Sequence, residues 1–474
     1  MNKIIPIGLI FIIIVSCQSP QKKEPVIGLI ADSAMVVTAQ PLASQVGVDI
    51  MKKGGNAVDA AIAVHFALSV VFPAAGNIGG GGFMVVRMKD GSTAALDYRE
   101  KAPGLATTNM YLDKDEHVIE GLSTDGHLAS GVPGSVDGMI EAHKKFGSRP
   151  WPELIQPAID LALNGFKISE REANWLNELQ KDIEKYNTIK PAFLIREKWK
   201  ADDSIKWTDL GHTLERIRDQ GRAGFYEGKT AEDVVAEMKR GKGLISTEDL
   251  KNYHSVWRDP IIANYKEYKV ISMPPSSSGG ICVIQLLKAM EPYPVKEWGF
   301  NTPKTIHHMV EAERRVFADR SKYLGDPDFF KVPISQLIDD QYIDERMSTF
   351  NPEKATPSTE VLAGIIPGYE SEETTHFSIV DPQGNAVAVT TTLNGWFGSN
   401  VVVAGSGFFL NNEMDDFSSK PGVPNMFGVT GGEANKIEPN KRMLSAMSPT
   451  IVEKDGKLVM VLHISGHFED PGLT

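Results

Sequence analysis

The chain has 474 residues, 42% hydrophobic and 23% charged, which supplies a large core and matches neither a disordered nor a fibrous composition. Its formal charge of −12 comes without any block of clustered Lys and Arg, so the composition excludes a protein that grips a phosphate backbone; nucleic acid is not an expected partner. The length allows two or three domains or one large α/β domain, and no repeat or low-complexity tract interrupts it.

The N-terminus, "MNKIIPIGLIFIIIVSC", has one basic residue near its start, an apolar run over 4–15 and a small residue, Ser16, before Cys17. The run is too short to span and stay in a bilayer and reads as an export signal. Its ending resembles a bacterial lipobox, in which removal of 1–16 leaves Cys17 as a lipid-modified N-terminus; an ordinary secretion signal is the alternative. Residues 17–33, with "QSPQKKEP", read as a polar tether. The expected location is therefore outside the cytoplasm, on a membrane held only through the lipid. Cys282 is the other cysteine, so no intrachain disulfide is expected, and its apolar surroundings make it a core residue and not a nucleophile.

Asn56, with Asp59 three residues on, caps an Ala/Val/Leu run that Pro73 ends, predicting a buried helix. Two strands follow around Asp90-Gly91, a hairpin signal. Residues 150–255 are charged and helical in pattern, and a further helix covers "TIHHMVEAERRVFADRSKYL". After 374 the pattern turns to strands. The whole reads as mixed α/β, with helices in the middle and a sheet fed from both ends.

Three attractive motifs carry no chemistry. "GNIGGGGF" lacks the Gly-Lys-Ser/Thr ending of a phosphate loop and reads as a tight backbone turn. "PPSSSGG" is no Gly-x-Ser-x-Gly elbow and reads as a loop or helix cap. His307 and His308 are adjacent on a helix and point about 100° apart, so they cannot share one metal. No zinc spacing occurs anywhere in the sequence.

"TTHFSIVDPQGNAVAVTTTLN" folds about Gln383 as one hairpin, pairing Val380 with Ala386, Ser378 with Ala388, His376 with Thr390 and Thr374 with Thr392. One face carries Phe377, Ile379, Val387, Val389 and Leu393; the other carries Thr374, His376, Ser378, Thr390, Thr392 and Asn394. The polar face is concentrated at the open end. Threonine-rich strands are also common for purely structural reasons.

That hairpin, together with "FLNNEMDDFSSKPGVPN", "PNKRMLSAMSPTIV", "AQPLASQVGVDIMKKGGNAVDAA", "NIGGGGFM", "LDYRE" and "MPPSSSGG", resembles the γ-glutamyltransferase (glutathione hydrolase) family of N-terminal-nucleophile hydrolases, from about 34 to 464. The resemblance implies a four-layer αββα sandwich and a precursor that cuts itself between Glu373 and Thr374. It implies a large subunit, 34–373, and a small catalytic subunit, 374–474, which together take γ-glutamyl donors such as glutathione and amino acid or dipeptide acceptors without a cofactor or metal.

The cut has a chemical reason. A threonine hydroxyl is a poor nucleophile at neutral pH, but an N-terminal Thr374 brings its own α-amine, with an ordinary pKa of about 7.7–8.0, as base. Thr392 matches the family's hydrogen-bond partner for that nucleophile. Arg99 matches the clamp on the donor's α-carboxylate, for which a planar fork is suited, with Ser445 as a second ligand. Asn394, Glu413 and Asp416 match the ammonium-binding set. From composition alone, Arg99 beside Asp97 and Glu100 reads as a surface ion pair, and "EMDDFS" as a solvated acidic turn.

Three departures from the family pattern stand out. Ala446 replaces a second serine, and Phe427 stands where the lid loop of some members has tyrosine. The family's oxyanion segment falls at 465–468, with Gly466 offering an N–H and His467 where a second glycine is expected, and little follows it before Thr474. The resemblance thus leads to an expectation of a sandwich incomplete at its C-terminus. Two alternatives to the enzyme reading follow: a catalytically dead or folding-defective shortened product, and a glutaryl-β-lactam acylase, in which the ammonium set would be unused.

Overall fold

A computed structural model describes residues 28–196, 198–357, 360–364 and 375–464. Cys17, Glu373, Thr374 and Gly466, and with them the export signal, the cut and the oxyanion segment, lie outside the described residues. By internal contacts, 1–33 separates from 34–474, which forms one compact unit.

The compact unit opens with β1 (Met35–Val37), α1 (Pro41–Lys52) and α2 (Ala57–Val71), followed by β2 (Gly81–Arg87) and β3 (Thr93–Asp97). The helical middle comprises α3 (Ser135–Phe146), α4 (Trp151–Asn164), α5 (Glu170–Tyr186), α6 (Thr208–Gln220), α7 (Ala223–Tyr226), α8 (Gly228–Gly241) and α9 (Thr247–Asn252), with a short pair β4 (Phe166–Lys167) and β5 (Ser204–Ile205). Then come β6 (Val256–Arg258), β7 (Ile261–Tyr265), β8 (Tyr268–Ser272), α10 (Gly279–Met290), α11 (Val295–Trp298) and α12 (Pro303–Tyr323). Beyond the segment around 374 lie β9 (Thr375–Val380), β10 (Ala386–Thr392), β11 (Ser448–Lys454) and β12 (Lys457–Ile464).

Apart from the β4–β5 pair, the strands form two antiparallel sheets, β1-β9-β10-β2-β3-β6 and β12-β11-β8-β7. Phe83, Val85, Ala95, Ala386 and Ala388 of the first meet Ile271, Met273, Met447 and Ile451 on the side of the second, forming the inner layer. The opposite face of the first sheet, with Met84, Val86, Leu96, Phe377, Ile379, Val387 and Val389, packs in one cluster with residues of α1 to α4. On the far side of the second sheet, Ile261 clusters with Ile281, Cys282 and Ile284 of α10 and Val316 of α12. This is helix, sheet, sheet, helix, the expected αββα order.

Local chemistry accounts for the elements that frame the site. Asn56 and Asp59 form a reciprocal capping box at α2, all of whose residues are buried, as an all-round apolar helix requires. The β9–β10 register is as the hairpin symmetry predicts: Val380 opposite Ala386, Ser378 opposite Ala388 and His376 opposite Thr390, continuing to Thr375 opposite Thr391. The β2–β3 turn has Gly91 at φ 86°, which suits glycine.

One expectation fails. Residues 393–447 form no extended strands, only isolated bridges and short 3-10 turns such as Glu413–Asp416. Side-chain amides replace the ladder there: Asn411 Nδ2 donates to the Gly79 and Gly131 carbonyls, and its Oδ1 accepts from the N–H groups of Gly131 and Glu413. That segment carries the acidic residues of the site.

Candidate active site

The site forms where β10 ends beside the glycine-rich entry to β2. Asn77 is the joint: its Nδ2 donates to the Thr392 carbonyl at 2.7 Å and its Oδ1 accepts from Gly80 N at 2.9 Å and Ser135 Oγ at 2.8 Å. A Cβ on Gly80 would sit 2.0 Å from the Thr392 oxygen, so the "GNIGGGGF" turn serves backbone contact. The end of β10 is thereby fixed, with Thr390, Thr391 and Thr392 buried.

Thr392 Oγ1 accepts from Asn394 N at 2.7 Å, and Asn394 Nδ2 donates to the carbonyl of Asn412, the residue before Glu413, at 3.0 Å. Glu413 and Asp416, on one 3-10 turn, each pair with one terminal nitrogen of Arg99, while Arg99 Nε donates to Met443 O at 3.3 Å. All three charged side chains are completely buried, so "EMDDFS" is neither a solvated turn nor Arg99 a surface cation. Glu100 adds a third carboxyl 3.6 Å from Arg99 Nη1, with no hydrogen-bond partner among the described residues.

Three carboxyls around one guanidinium cannot all ionise cheaply away from water. Burial pushes Glu413 up to about 7 against the pull of Arg99. Burial, reinforced by the charge of Glu413, also raises Glu100 and Asp416 well above the ordinary carboxylate range, Arg99 opposing it in both. Burial disfavours the Arg99 charge, but Glu413 and Asp416 outweigh it and hold the guanidinium protonated. Asn394 Oδ1 is a buried acceptor with no partner among the described residues.

Ser445 reaches this cluster indirectly. Its N–H donates to Ser276 O at 2.9 Å, its carbonyl accepts from Ser278 N and Oγ, and the run that carries it passes Arg99 at Met443. The serines of "PPSSSGG" are thus buried stitching: Ser277 Oγ donates to Met447 O at 2.6 Å, and Ser278, at the start of α10, makes no side-chain cap. Ala446 is buried next to Ser445. The 418–430 loop lies over the acidic turn: Met426 N donates to Asp415 Oδ2 at 2.9 Å, Asn425 reaches Asp416, and Phe427 is half-buried.

Arg99, Glu413 and Asp416 therefore meet in one ion-pair cluster, Thr392 and Asn394 join it through Asn412, the residue before Glu413, and Ser445 adjoins it. Glu100, Asn77 and Asn411 belong to it or hold it together and were not singled out from the sequence. Their only signals were polar residues set in otherwise glycine-rich or irregular stretches. Among the described residues no group of three or more His, Cys, Asp or Glu is arranged to hold a metal ion.

Residues 43–469 match the sequence profile of the Gamma-glutamyltranspeptidase family. The chain is 49% identical to the Glutathione hydrolase proenzyme of Pseudomonas sp. (strain A14) over 438 residues, covering 92% of this chain and 76% of that protein. It is 47% identical to the Glutathione hydrolase proenzyme of Escherichia coli (strain K12), covering 91% of this chain and 75% of that one. The crystal structure of Helicobacter pylori gamma-glutamyltranspeptidase superimposes with a TM-score of 0.69 at 43% identity, covering 71% of this chain and 97% of that chain. The chain belongs to the gamma-glutamyltranspeptidase family, whose members are enzymes.

Proposed function

We propose that the protein is a γ-glutamyltransferase and glutathione hydrolase that makes its own nucleophile. The Thr374 hydroxyl attacks the Glu373 carbonyl, the C–N bond to the Thr374 nitrogen breaks, and water opens the resulting ester. This leaves a Glu373 carboxylate and a free Thr374 amine, and divides 34–373 from 374–474. The freed amine takes the hydroxyl proton as Thr374 attacks the γ-carbonyl of a donor such as glutathione; the amine of cysteinylglycine leaves with a proton, and a γ-glutamyl ester remains. Water completes hydrolysis, and the amine of an amino acid or dipeptide completes transfer. Gly466 N–H is the assigned donor to the developing oxyanion.

The observation that carries this reading is the buried Arg99–Glu413–Asp416 cluster, linked to Thr392 through Asn394 and Asn412. Thr375, next to Thr374, pairs with Thr391, and Thr392 follows directly. With its hydroxyl oxygen accepting from Asn394 N and its carbonyl from Asn77 Nδ2, Thr392 is held in place as a partner for the nucleophile. A zwitterionic α-amino acid end exchanges the internal pairs for two crossed ones, carboxylate to Arg99 and ammonium to Glu413 and Asp416, with Asn394 Oδ1 as a further acceptor. The excess of buried carboxyl over cation favours a ligand that brings an ammonium, which a glutaryl group lacks. Ser445 is assigned to the α-carboxylate.

The sequence of 1–17 supports a lipoprotein signal with Cys17 as the modified residue, which places the enzyme outside the cytoplasm. Among the described residues no helix is long and apolar enough to cross a membrane. The test is turnover of L-γ-glutamyl-p-nitroanilide. Thr374→Ala loses it and Thr374→Ser, which keeps hydroxyl and amine, retains part; equal activity of Thr374→Ala and wild type would overturn the assignment.

A further inference from the structure

Two residues before Arg99, Asp97 ends β3 and is completely buried. Its Oδ1 accepts from Arg99 N at 3.1 Å and lies 3.3 Å from Arg442 Nε. Its Oδ2 accepts from Arg258 Nε at 2.7 Å and Ser276 Oγ at 3.1 Å. The carbonyl of Ser276 in turn accepts from Ser445 N. One carboxylate thus joins the backbone of the assigned carboxylate clamp to the loop that holds the assigned second ligand.

The geometry points to Asp97 as a positioning residue that sets the spacing between Arg99 and Ser445, and so the selectivity of the site for a ligand bearing an α-carboxylate. This rests on the γ-glutamyl reading of the site. Among the described residues, all four groups that contact the Asp97 carboxyl present donors to it, so a group that accepts on both oxygens fits. Asparagine, nearly the same shape, must turn an NH2 toward either Arg99 N and Arg442 or Arg258 and Ser276. Burial alone would raise the Asp97 carboxyl, but the charges of Arg442 and Arg258 hold it below the ordinary range, keeping it an acceptor at neutral pH. Arg258 is itself anchored on Asp328 at 2.8 and 3.1 Å, so the carboxylate has a fixed position.

The experiment is calorimetric binding of L-glutamate and of 4-aminobutanoate, which lacks only the α-carboxylate, to wild type, Asp97→Asn and Ser276→Ala. Wild type is expected to prefer L-glutamate. Both variants are expected to narrow that preference by about tenfold, the scale of one hydrogen bond to a charged group, while 4-aminobutanoate affinity stays within about twofold. Ser276→Ala leaves every charge in place, and decides the matter alone if Asp97→Asn does not fold. An unchanged preference, or an equal loss for both ligands, overturns the positioning role while leaving the γ-glutamyl reading intact. A wild type that does not prefer L-glutamate overturns both.

Discussion

Two buried charge clusters lie back to back along one strand end, and they are built differently. Around Asp97 stand two guanidiniums, Arg258 and Arg442, whose other contacts include Asp328 and the His254 carbonyl. Asp97 and Asp328 are held below the ordinary carboxylate range; Asp326, raised by burial, is the exception. Around Arg99 stand Glu100, Glu413 and Asp416, all raised chiefly by burial. A matched cluster holds a fold together, whereas a cluster with surplus acid, and with the Glu100 carboxyl and Asn394 Oδ1 lacking hydrogen-bond partners among the described residues, is suited to receiving a cation from outside.

The difference can be broken from either side. Arg442→Met strips a cation from the matched cluster and leaves Asp97 short of a partner in a dry site, so urea denaturation should show a loss of about 3–5 kcal/mol. A loss below about 1 kcal/mol would erase the distinction drawn between the clusters. Arg99→Lys keeps a charge but loses the fork, and should weaken γ-glutamyl-p-nitroanilide binding by about 1.5–3 kcal/mol, read in the Michaelis constant. An unchanged Michaelis constant would take Arg99 out of the site.

Protons sharpen the same contrast. Burial raises Glu413 from 4.5 to about 7, so its carboxyl gains charge across neutrality, and affinity for the L-glutamate ammonium should rise from about pH 6 to about pH 8. Glu413→Gln should flatten that rise; a variant profile parallel to wild type would assign the titration elsewhere. The linked effect on stability has the opposite direction. The contribution of neutral Glu413 is fully present below about 4.5 and lost as pH rises through about 7, so wild type should lose ground to Glu413→Gln over that window. The smallest effect calibrates the rest: Asn56→Ala, which removes the α2 cap, should cost about 1 kcal/mol of stability and leave L-glutamate affinity unchanged. A change in affinity would show that the site responds to any loss of stability.

The parts legible in the sequence are those with a local cause. The α2 cap depends on residues three apart, and the β9–β10 register on a turn cluster and a period of two, so both read directly from the chain. The strands that come together in two sheets are far apart in sequence, and their stacking followed from the family resemblance. The burial of Arg99, Glu413 and Asp416 was not legible in composition, because it depends on packing between β3 and an irregular segment more than three hundred residues away. That segment has no periodicity to read, since Asn411 and Asn435 bond its backbone where a ladder would otherwise do so. The burial of Glu100 is illegible for the same reason: beside an arginine, a glutamate reads as its exposed partner, and only the fold places both inside.

The account stands most directly on the bond between Glu373 and Thr374. N-terminal sequencing and intact-mass measurement of the purified protein should find a fragment whose first residue is Thr374, absent in Thr374→Ala. A stable uncut chain, or a fragment beginning at any other residue, would contradict it.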